Sequence, residues 1–247
     1  MSIVTWNKKY TETLFETLER FRLKYSEYQD SKITYAGRLD PMAEGLMILL
    51  IDDDVHRKDE FIKLDKVYEV DFILGVCTDT YDILGLVNNN KEQEIIENNV
   101  KKQIAELENI TSQEYPAYSS KTVNGKALWQ WARERKLSEI NTPRIDISIF
   151  DAKYIGLKLL SKTELQDHIL KSIKKVSGDF RQKEIMRLWN NYFLTSKRTS
   201  YQIYTMRVHA SSGTYMRSLV HTIGKKTGIG ATTVRINRIQ VGEYLLT

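Results

Sequence analysis

Two stretches of the chain alternate apolar and polar residues at a period of two, which is typical of strands that bury one face. The first stretch covers residues 66–76, and its apolar side is formed by Tyr68, Val70, Phe72 and Leu74. The second covers residues 201–210, and its apolar side is formed by Tyr204, Met206 and Val208. We therefore predict a strand in each stretch.

Other stretches show the spacing of helices. Thr13 and Glu16 are placed as in a capping box, so a helix is predicted to begin there. Residues 91–108 predict an exposed, charged helix. A third helix is predicted to end before Gly228, with an apolar face formed by Met216, Leu219, Val220 and Ile223.

Residues 159–189 are also helical in pattern and predict one helix or two, with a break at residues 176–182. Strand patterns dominate the segments between the helices, so the predicted fold class is α+β, built on an antiparallel sheet. At 247 residues the chain can bury one substantial core, in one domain or in one domain with an insertion.

Composition narrows the class of protein only slightly. The chain is 41% hydrophobic and has neither an apolar stretch of membrane-spanning length nor a signal-peptide pattern, so no membrane partner is expected. Its single cysteine, Cys77, excludes an intramolecular disulfide and fits a reducing compartment. A cytoplasmic protein is therefore expected. Four scattered histidines give no support for a metal site. The net charge of +5 and the pI near 9.0 permit a polyanionic partner without requiring one.

Asp40 is the first candidate for chemistry. It lies between Gly37, which permits backbone angles closed to other residues, and Pro41, which holds Asp40 out of the helical region. Such a loop presents a carboxylate in one orientation, as a nucleophile or a general base requires. An aspartate before a proline also commonly caps a turn, so the local pattern alone leaves both interpretations open.

Four segments of the chain carry more specific patterns. In order they are Gly37-Arg-Leu-Asp-Pro-Met-Ala-Glu-Gly45, Lys66-Val-Tyr68, Tyr115-Pro-Ala-Tyr-Ser-Ser-Lys-Thr-Val-Asn-Gly125 and Gly213-Thr-Tyr-Met-Arg-Ser-Leu219. In this order they resemble the pseudouridine synthases, and more narrowly the tRNA pseudouridine synthase B (TruB-type) family. The resemblance covers nearly the whole chain. It implies the pseudouridine synthase fold, a mixed and largely antiparallel sheet with flanking helices and a central catalytic cleft.

The resemblance implies an isomerase, an intramolecular transferase that converts uridine to pseudouridine in RNA. Asp40 matches the catalytic carboxylate, Tyr68 the residue that stacks on the target base and takes its C5 proton, and Arg217 the partner that keeps the carboxylate ionised. Ile236 falls where the family places an apolar residue against the flipped base. The isomerisation is redox-neutral and adds no group, so no cofactor is expected. The carboxylate's route stays open: it adds to C6 of the uracil, attacks C1′ or takes a sugar proton.

Cations interleaved with aromatic residues predict an RNA-binding surface in residues 118–144, because the charges neutralise phosphates and the rings stack on bases. Within this stretch Tyr118, Lys121 and Lys126 are expected to contact the substrate. The two tryptophans of the stretch are each expected to be ordinary core residues. His221 shares a helix face with Arg217 and is expected to fill a polar niche.

Two positions near Asp40 depart from the family pattern, and both are expected to contact the substrate. Tyr35 stands where the family usually has a histidine that touches the flipped region of the RNA, and a tyrosine can still stack on a nucleotide. Arg38 stands where a small residue is usual. We expect Arg38 either to compete with Arg217 for Asp40 or to insert into the RNA.

The resemblance implies a single catalytic domain over residues 1–247, acting as a monomer on tRNA at uridine 55 of the T-loop. Residues 158–200 are expected to form a helical insertion that leans on the RNA. No room is expected for the C-terminal RNA-binding PUA domain that bacterial members usually carry. Two alternatives stay open: a synthase acting on ribosomal or another RNA, and a non-catalytic RNA-binding chaperone of the same fold.

Overall fold

Strands and helices are mixed along the chain, as in an α+β protein. The computed structural model describes residues 3–91, 93 and 96–246. Its strands are β1 (Ile3–Lys8), β2 (Ile33–Ala36), β3 (Ala43–Ile51), β4 (Lys66–Leu74), β5 (Val76–Thr78), β6 (Val87–Asn90), β7 (Ser112–Glu114), β8 (Thr122–Val123), β9 (Lys126–Ala127), β10 (Arg144–Asp146), β11 (Ile149–Ser161), β12 (Ser200–Ala210), β13 (Ala231–Val241) and β14 (Tyr244–Leu245). Its α-helices are α1 (Leu14–Lys24), α2 (Lys58–Ile62), α3 (Glu97–Ala105), α4 (Leu128–Arg133), α5 (Lys162–Lys175), α6 (Gln182–Thr195) and α7 (Met216–Thr227). Short 3₁₀ helices cover Ser26–Tyr28, Asp52–Arg57, Glu106–Asn109 and Leu137–Glu139.

One eight-stranded sheet organises the molecule. Its main path runs β1-β3-β13-β4-β12-β11, while β2 also pairs with β3 and β14 with β13. Strands β3 and β13 run parallel and the other pairs of this sheet run antiparallel, so the sheet is mixed and largely antiparallel. This order brings the start of β3, the start of β4 and the middle of β13 together at the centre of the sheet.

Helices cover both faces of this sheet. On one face, α1, α3 and α7 pack against β3, β4 and β12 through residues such as Phe21, Ile104 and Leu219. On the other face, α5 and α6 bury Ile169 and Trp189 against β4, β12 and β13. The strands serve both cores because successive side chains of a strand point to opposite faces. No helix in the described part of the chain is long and apolar enough to cross a membrane.

Several predicted elements are present. Helix α1 begins after Thr13, and the predicted capping box with Glu16 forms. Strands β4 and β12 coincide with the two alternating stretches. Helix α7 ends at Gly228, whose φ of +77° lies in the left-handed region that favours glycine.

The helix predicted over residues 91–108 is corrected in its bounds and in its exposure. Helix α3 begins only at Glu97, and a 3₁₀ segment replaces its last turn. Val100 and Ile104 are fully buried, because residues four apart share one helix face and this face lies on the sheet. Residues 92, 94 and 95 of the prediction lie outside the described residues.

The helical pattern of residues 159–189 resolves into α5 and α6, with a break at residues 176–181. The prediction began too early, since residues 159–161 belong to the edge strand β11. Ser161 sets the boundary: its side chain accepts a hydrogen bond from the Glu164 N–H and so caps α5.

Gly45 is predicted to tolerate no side chain. Its φ is +106°, and a Cβ there would lie 2.3 Å from the Arg238 carbonyl oxygen in the parallel strand β13. We expect Gly45→Ala to lower the free energy of unfolding by at least about 2 kcal/mol, because it adds both backbone strain and overpacking. Urea unfolding at neutral pH measures this change. Gly156→Ala in β11 is the control, since no atom lies within 4 Å of its added Cβ, and an equal loss in both variants would contradict the prediction.

Candidate active site

The carboxylate loop, residues 37–42, connects β2 to β3 at the centre of the sheet. Gly37 begins it with a φ of +84°, a conformation that favours glycine. The Ala43 N–H closes it by donating to the Asp40 carbonyl oxygen at 2.9 Å. The Asp40 side chain therefore projects from a fixed backbone, and it stays 42% exposed.

Arg217, in the first turn of α7, binds Asp40 directly. Its Nε donates to Asp40 Oδ2 at 2.7 Å, and the arginine side chain is buried. Its other nitrogens donate to the carbonyl oxygens of Thr80 at 2.6 Å and Tyr118 at 3.2 Å. Burial lowers the pKa of Arg217, but the charges of Asp40 and then Asp82 raise that pKa by more than burial lowers it. The structure thus brings the two predicted partners together, with Arg217 as a cation.

Asp82 is a second carboxylate at this arginine, and it was not predicted from the sequence. Its Oδ2 lies 3.7 Å from Arg217 Nε, and its Oδ1 accepts hydrogen bonds from Thr80 Oγ1 at 2.7 Å and from the Leu84 N–H at 3.0 Å. Burial raises the pKa of Asp82 to about 6, although Arg217 and the Thr80 hydroxyl oppose this rise. In the sequence, residues 79–85 are recognisable only as a polar turn, and this gives no reason to predict Asp82 as a site residue.

A cleft of about 710 Å³ opens beside these groups, a volume typical of sites for small organic groups. Six of the predicted site residues line it: Arg38, Asp40, Tyr68, Tyr118, Arg217 and Ile236. The other three, Tyr35, Lys121 and Lys126, are not among its lining residues. The cleft therefore unites the predicted catalytic residues and only part of the predicted RNA contacts.

The three predicted residues outside the cleft lining contact other aromatic or charged groups. Lys58 Nζ lies 5.6 Å from the ring centroid of Tyr35, which is half-buried in β2. Lys121 Nζ lies 5.3 Å from the ring of Tyr115. Lys126 lies over the Trp131 ring at 4.4 Å and forms an ion pair with Glu134. Their contact with RNA stays a prediction.

Tyr68 and Ile236 form a mostly apolar floor of the cleft. Both are buried, and they stand on the adjacent strands β4 and β13. Ile236 pairs directly with Val70, two residues after Tyr68, so the two side chains lie on the same face of the sheet. A flat ring could lie on this floor with its edge near Asp40.

The rim of the cleft combines aromatic rings with cations. Arg181 stacks over Tyr118 at 4.6 Å and is held by an ion pair with Asp79 at 2.7 Å. Trp129 is 39% exposed in the cleft, with Arg133 over its ring at 5.6 Å. The expectation that Trp129 is a core residue is therefore wrong, because helix α4 turns it toward the cleft.

Arg38 lies at the same rim and is exposed. Within the described residues it makes neither a hydrogen bond nor an ion pair, whereas Asp40 is bonded to Arg217. In this structure Arg38 does not compete with Arg217 for Asp40. Its guanidinium stays available to a ligand.

Tyr215 and His221, both on or next to α7, differ in their relation to the cleft. Tyr215 lines it, and burial together with the Asp40 charge raises the pKa of Tyr215 to about 12, so the phenol is neutral. Tyr215 lies within one of the family motifs, but no role was predicted for it. His221 does not line the cleft; it stacks on Tyr81 at 3.9 Å, and burial followed by the Lys225 charge lowers the pKa of His221 to about 4. It fills a niche behind the site as a neutral ring.

The described residues contain no group of three or more His, Cys, Asp or Glu side chains that could hold a metal ion. The polar groups of the cleft are instead an ion pair, phenols and cations. Such groups can orient a carboxylate and bind a planar polar ring, and their charges can attract a polyanion.

Comparison with known proteins places the chain in a family. The family model described as "TruB family pseudouridylate synthase (N terminal domain)" matches residues 24–169. The chain belongs to this family, as the motifs indicated. The match includes Asp40, Tyr68 and Tyr118 but ends before Arg217.

Curated relatives extend the similarity along the chain. Proteins named "tRNA pseudouridine synthase B" from Mesoplasma florum and Fusobacterium nucleatum are each 29% identical over 99% of this chain. The chain covers 70% and 69% of their lengths. The relative of the same name from Thermotoga maritima is 29% identical over 87% of the chain, which spans only 55% of that protein.

Solved structures show the same fold. A chain in the "Crystal Structure of a Cbf5-Nop10-Gar1 Complex" aligns over 98% of this chain with a TM-score of 0.61 and 14% identity. A chain of an H/ACA RNP bound to a substrate RNA containing 2′-deoxyuridine aligns with a TM-score of 0.56 and 13% identity. This chain spans about half of each of these neighbours, 49% and 48%. The predicted α+β fold of the pseudouridine synthases is thereby confirmed.

Asp82 should give the stability of the protein a specific pH dependence. Its pKa is about 6 in the folded protein against an ordinary value of 3.8, so its contribution to stability is complete below pH 4 and is lost as the pH rises through 6. Between pH 4 and pH 7 we expect the free energy of unfolding of wild type to fall by about 2 to 3 kcal/mol relative to that of Asp82→Asn. Urea unfolding of both proteins across this range measures the difference. Asp59→Asn on α2 is the control, and a wild-type-minus-Asp82→Asn difference that does not vary with pH would count against the prediction.

Proposed function

We propose that the protein isomerises uridine to pseudouridine in RNA. The observation that carries this proposal is the buried Arg217 bonded to a partly exposed Asp40 beside the floor of Tyr68 and Ile236. Membership of the TruB family supports the reaction, as do the names of the relatives. The reaction breaks the N1–C1′ bond and joins C5 to C1′, and it requires no cofactor.

Asp40 is the proposed catalytic carboxylate. Arg217 engages its Oδ2, and within the described residues Oδ1 makes no hydrogen bond, so one oxygen is free for the substrate. Because Arg217 orients the carboxylate, Asp40 can act as a nucleophile at C6 or C1′ or as a base toward a sugar proton. Each of these three routes is compatible with the free oxygen.

Tyr68 and Ile236 are the proposed binding site for the uracil ring. The phenol ring stacks on the base, and after the new bond forms its oxygen takes the C5 proton while the phenol's own proton passes to water. Ile236 covers the base from the adjacent strand. Stacking of this kind contributes about 1–3 kcal/mol per base, which offsets the few kcal/mol needed to extrude a nucleotide from folded RNA.

The proposed substrate is tRNA, with uridine 55 of the T-loop as the target. Relatives that match most of this chain are named tRNA pseudouridine synthase B, and a structured loop costs less to open than a duplex. The cations of the rim, Arg38, Arg133 and Arg181, suit a folded polyanion. We propose that the rim contacts the RNA backbone while the target base enters the cleft.

A synthase acting on another RNA is the second candidate. Arg38 favours it, because this exposed arginine beside Asp40 has no partner within the described residues and replaces the small residue usual in the family. A guanidinium at this place can fill the gap that a flipped base leaves, or contact a backbone phosphate. Substrates from ribosomal RNA are therefore included in the test.

The test of function is incubation of wild type and Asp40→Asn with unmodified tRNA transcripts and ribosomal RNA fragments. Pseudouridine has the mass of uridine, so it is labelled with a carbodiimide and mapped by primer extension. We expect a stop at the T-loop uridine with wild type only, while Asp40→Asn binds the RNA about as tightly. Substantial modification by Asp40→Asn would refute the role of Asp40. A stop only in ribosomal RNA would favour the second candidate, and no stop with wild type would refute the proposed activity.

Cations of the predicted RNA surface should change the salt dependence of binding. We expect Lys121→Gln/Lys136→Gln to weaken RNA binding and to reduce the slope of log K against log salt by about 0.7 to 0.9 for each phosphate that the protein no longer neutralises. Filter binding from about 50 to 200 mM salt measures the slope. The control is Lys101→Gln/Lys153→Gln, which removes two lysines paired with Glu97 and Asp151. Equal slopes for the two double variants would place the RNA elsewhere.

A further inference from the structure

Arg238 is a buried cation that the proposed chemistry does not use. It lies in β13 with 1% of its surface exposed, and burial lowers the pKa of its guanidinium. Its Nε donates to the Leu46 carbonyl oxygen at 2.7 Å, and its Nη2 donates to the Gly37 carbonyl oxygen at 3.2 Å. Within the described residues no carboxylate forms an ion pair with it. A buried charge without a counter-ion is costly, so an apolar side chain of similar size would fill the space with less loss of hydration.

The guanidinium of Arg238 supports the carboxylate loop directly. The Gly37 carbonyl that it binds belongs to this loop, three residues before Asp40. A Cβ on Gly37 would lie 3.3 Å from Arg238 Nη1, so the loop packs on the guanidinium itself. Leu46, the second acceptor, lies in β3 just beyond the loop. Arg238 therefore connects the start of the loop to the strand that follows it.

Tyr68 stands directly opposite Arg238 in the antiparallel pairing of β4 with β13. Residues so paired have their side chains on the same face, with Cβ atoms about 4.5–5.5 Å apart. Both side chains line the cleft, and the effect of burial on the pKa of Arg238 is opposed first by charge on Tyr68 and then by hydrogen bonding with it. A guanidinium can only donate, so in a hydrogen bond between these two groups the phenol oxygen is the acceptor.

The other buried cation beside Arg238 does not neutralise it. Lys66 donates to the carbonyl oxygens of Ile62 and Leu64, both at 2.5 Å. Burial, followed by the Arg238 charge, lowers the pKa of Lys66 to about 8. Lys66 is thus bonded to carbonyl oxygens, and Tyr68 is the polar side chain directly opposite Arg238 in the sheet.

We infer that Arg238 is a positioning residue, which fixes the Tyr68 hydroxyl relative to the loop that carries Asp40. The inference rests on the proposed function, in which Asp40 and Tyr68 act on the same nucleotide. Two groups that act in turn on one ring must keep their separation, since a misplacement of about 1 Å can cost about 100-fold in rate. One guanidinium that is bonded to the loop and faces the phenol on the adjacent strand supplies this constraint.

The test compares Arg238→Met, which keeps the length of the side chain, with Arg238→Lys, which keeps the charge. Single-turnover rates at saturating RNA, half-saturating RNA concentrations and melting temperatures are measured for each. We expect Arg238→Met to lower the saturating rate about 100-fold. Arg238→Lys should be about tenfold faster than Arg238→Met, because a cation still faces the phenol. The half-saturating concentration should change by less than about threefold in both, since the site for RNA is intact.

Two further comparisons of variants distinguish a positioning role of Arg238 from a packing role. In a Tyr68→Phe background the advantage of Arg238→Lys over Arg238→Met should disappear, because the hydroxyl that the charge holds is absent. Arg207→Met, which removes an exposed arginine of β12 paired with Glu69, should keep the wild-type rate. If Arg238→Met melts below the assay temperature, Arg238→Lys alone is compared with wild type and with Tyr68→Phe.

Several outcomes would overturn the inference. They are a wild-type rate in Arg238→Met, a rate of Arg238→Lys no better than that of Arg238→Met, rates that simply follow melting temperature, or an advantage of lysine that survives in Tyr68→Phe. In each of these cases wild type is active, so the proposed function stands and only the inference fails. Wild type without turnover on any RNA defeats the proposed function and this inference with it.

Discussion

The site depends above all on one buried guanidinium. Arg217 is removed from water, and an unpaired charge at that depth would cost several kcal/mol. Two carboxylates and two carbonyl oxygens offset this cost, and they come from segments that only the fold brings together. The need to satisfy Arg217 thus holds the Asp40 loop, the turn with Asp82 and the segment with Tyr118 against the start of α7. Asp40 is oriented before any ligand arrives.

The two carboxylates at Arg217 are not equivalent. Asp82 is buried and hydrogen-bonded by Thr80 and Leu84, and burial raises its pKa to about 6. Asp40 is closer to the guanidinium, at 2.7 Å against 3.7 Å, and remains open to the cleft. Burial therefore disfavours the charge on Asp82, whereas Arg217 holds Asp40 in place by a direct hydrogen bond. Arg217 thus orients the exposed Asp40 toward the cleft, while the buried Asp82 helps to hold Arg217 in place.

Sequence reasoning reached the catalytic candidates because each lies in a recognisable motif of the chain. Asp40 lies in residues 37–45, Tyr68 in residues 66–68 and Arg217 in residues 213–219, and the resemblance of these segments to the family indicated their roles, which alternation or helical spacing alone would not have done. Asp82 and Arg238 have no such local signal, since their roles arise from contacts with distant residues that depend on sheet order. The exposure of Trp129 and the burial of α3 were missed for the same reason. A local pattern defines an apolar face, but tertiary packing decides what covers it.

The two buried arginines, Arg217 in α7 and Arg238 in β13, have opposite electrostatic surroundings. Arg217 is surrounded by acid, so its charge is largely cancelled and its effect is to orient Asp40. Among the described residues Arg238 is bonded to carbonyl oxygens and forms no ion pair, so its charge persists beside Lys66 under the cleft. An uncancelled positive charge near the floor favours negative charge that develops on a ligand there, just as the exposed Arg38 favours it at the rim. Positive charge, which favours a polyanion at the rim, is therefore also present at the base of the cleft, where the proposed reacting nucleotide would lie.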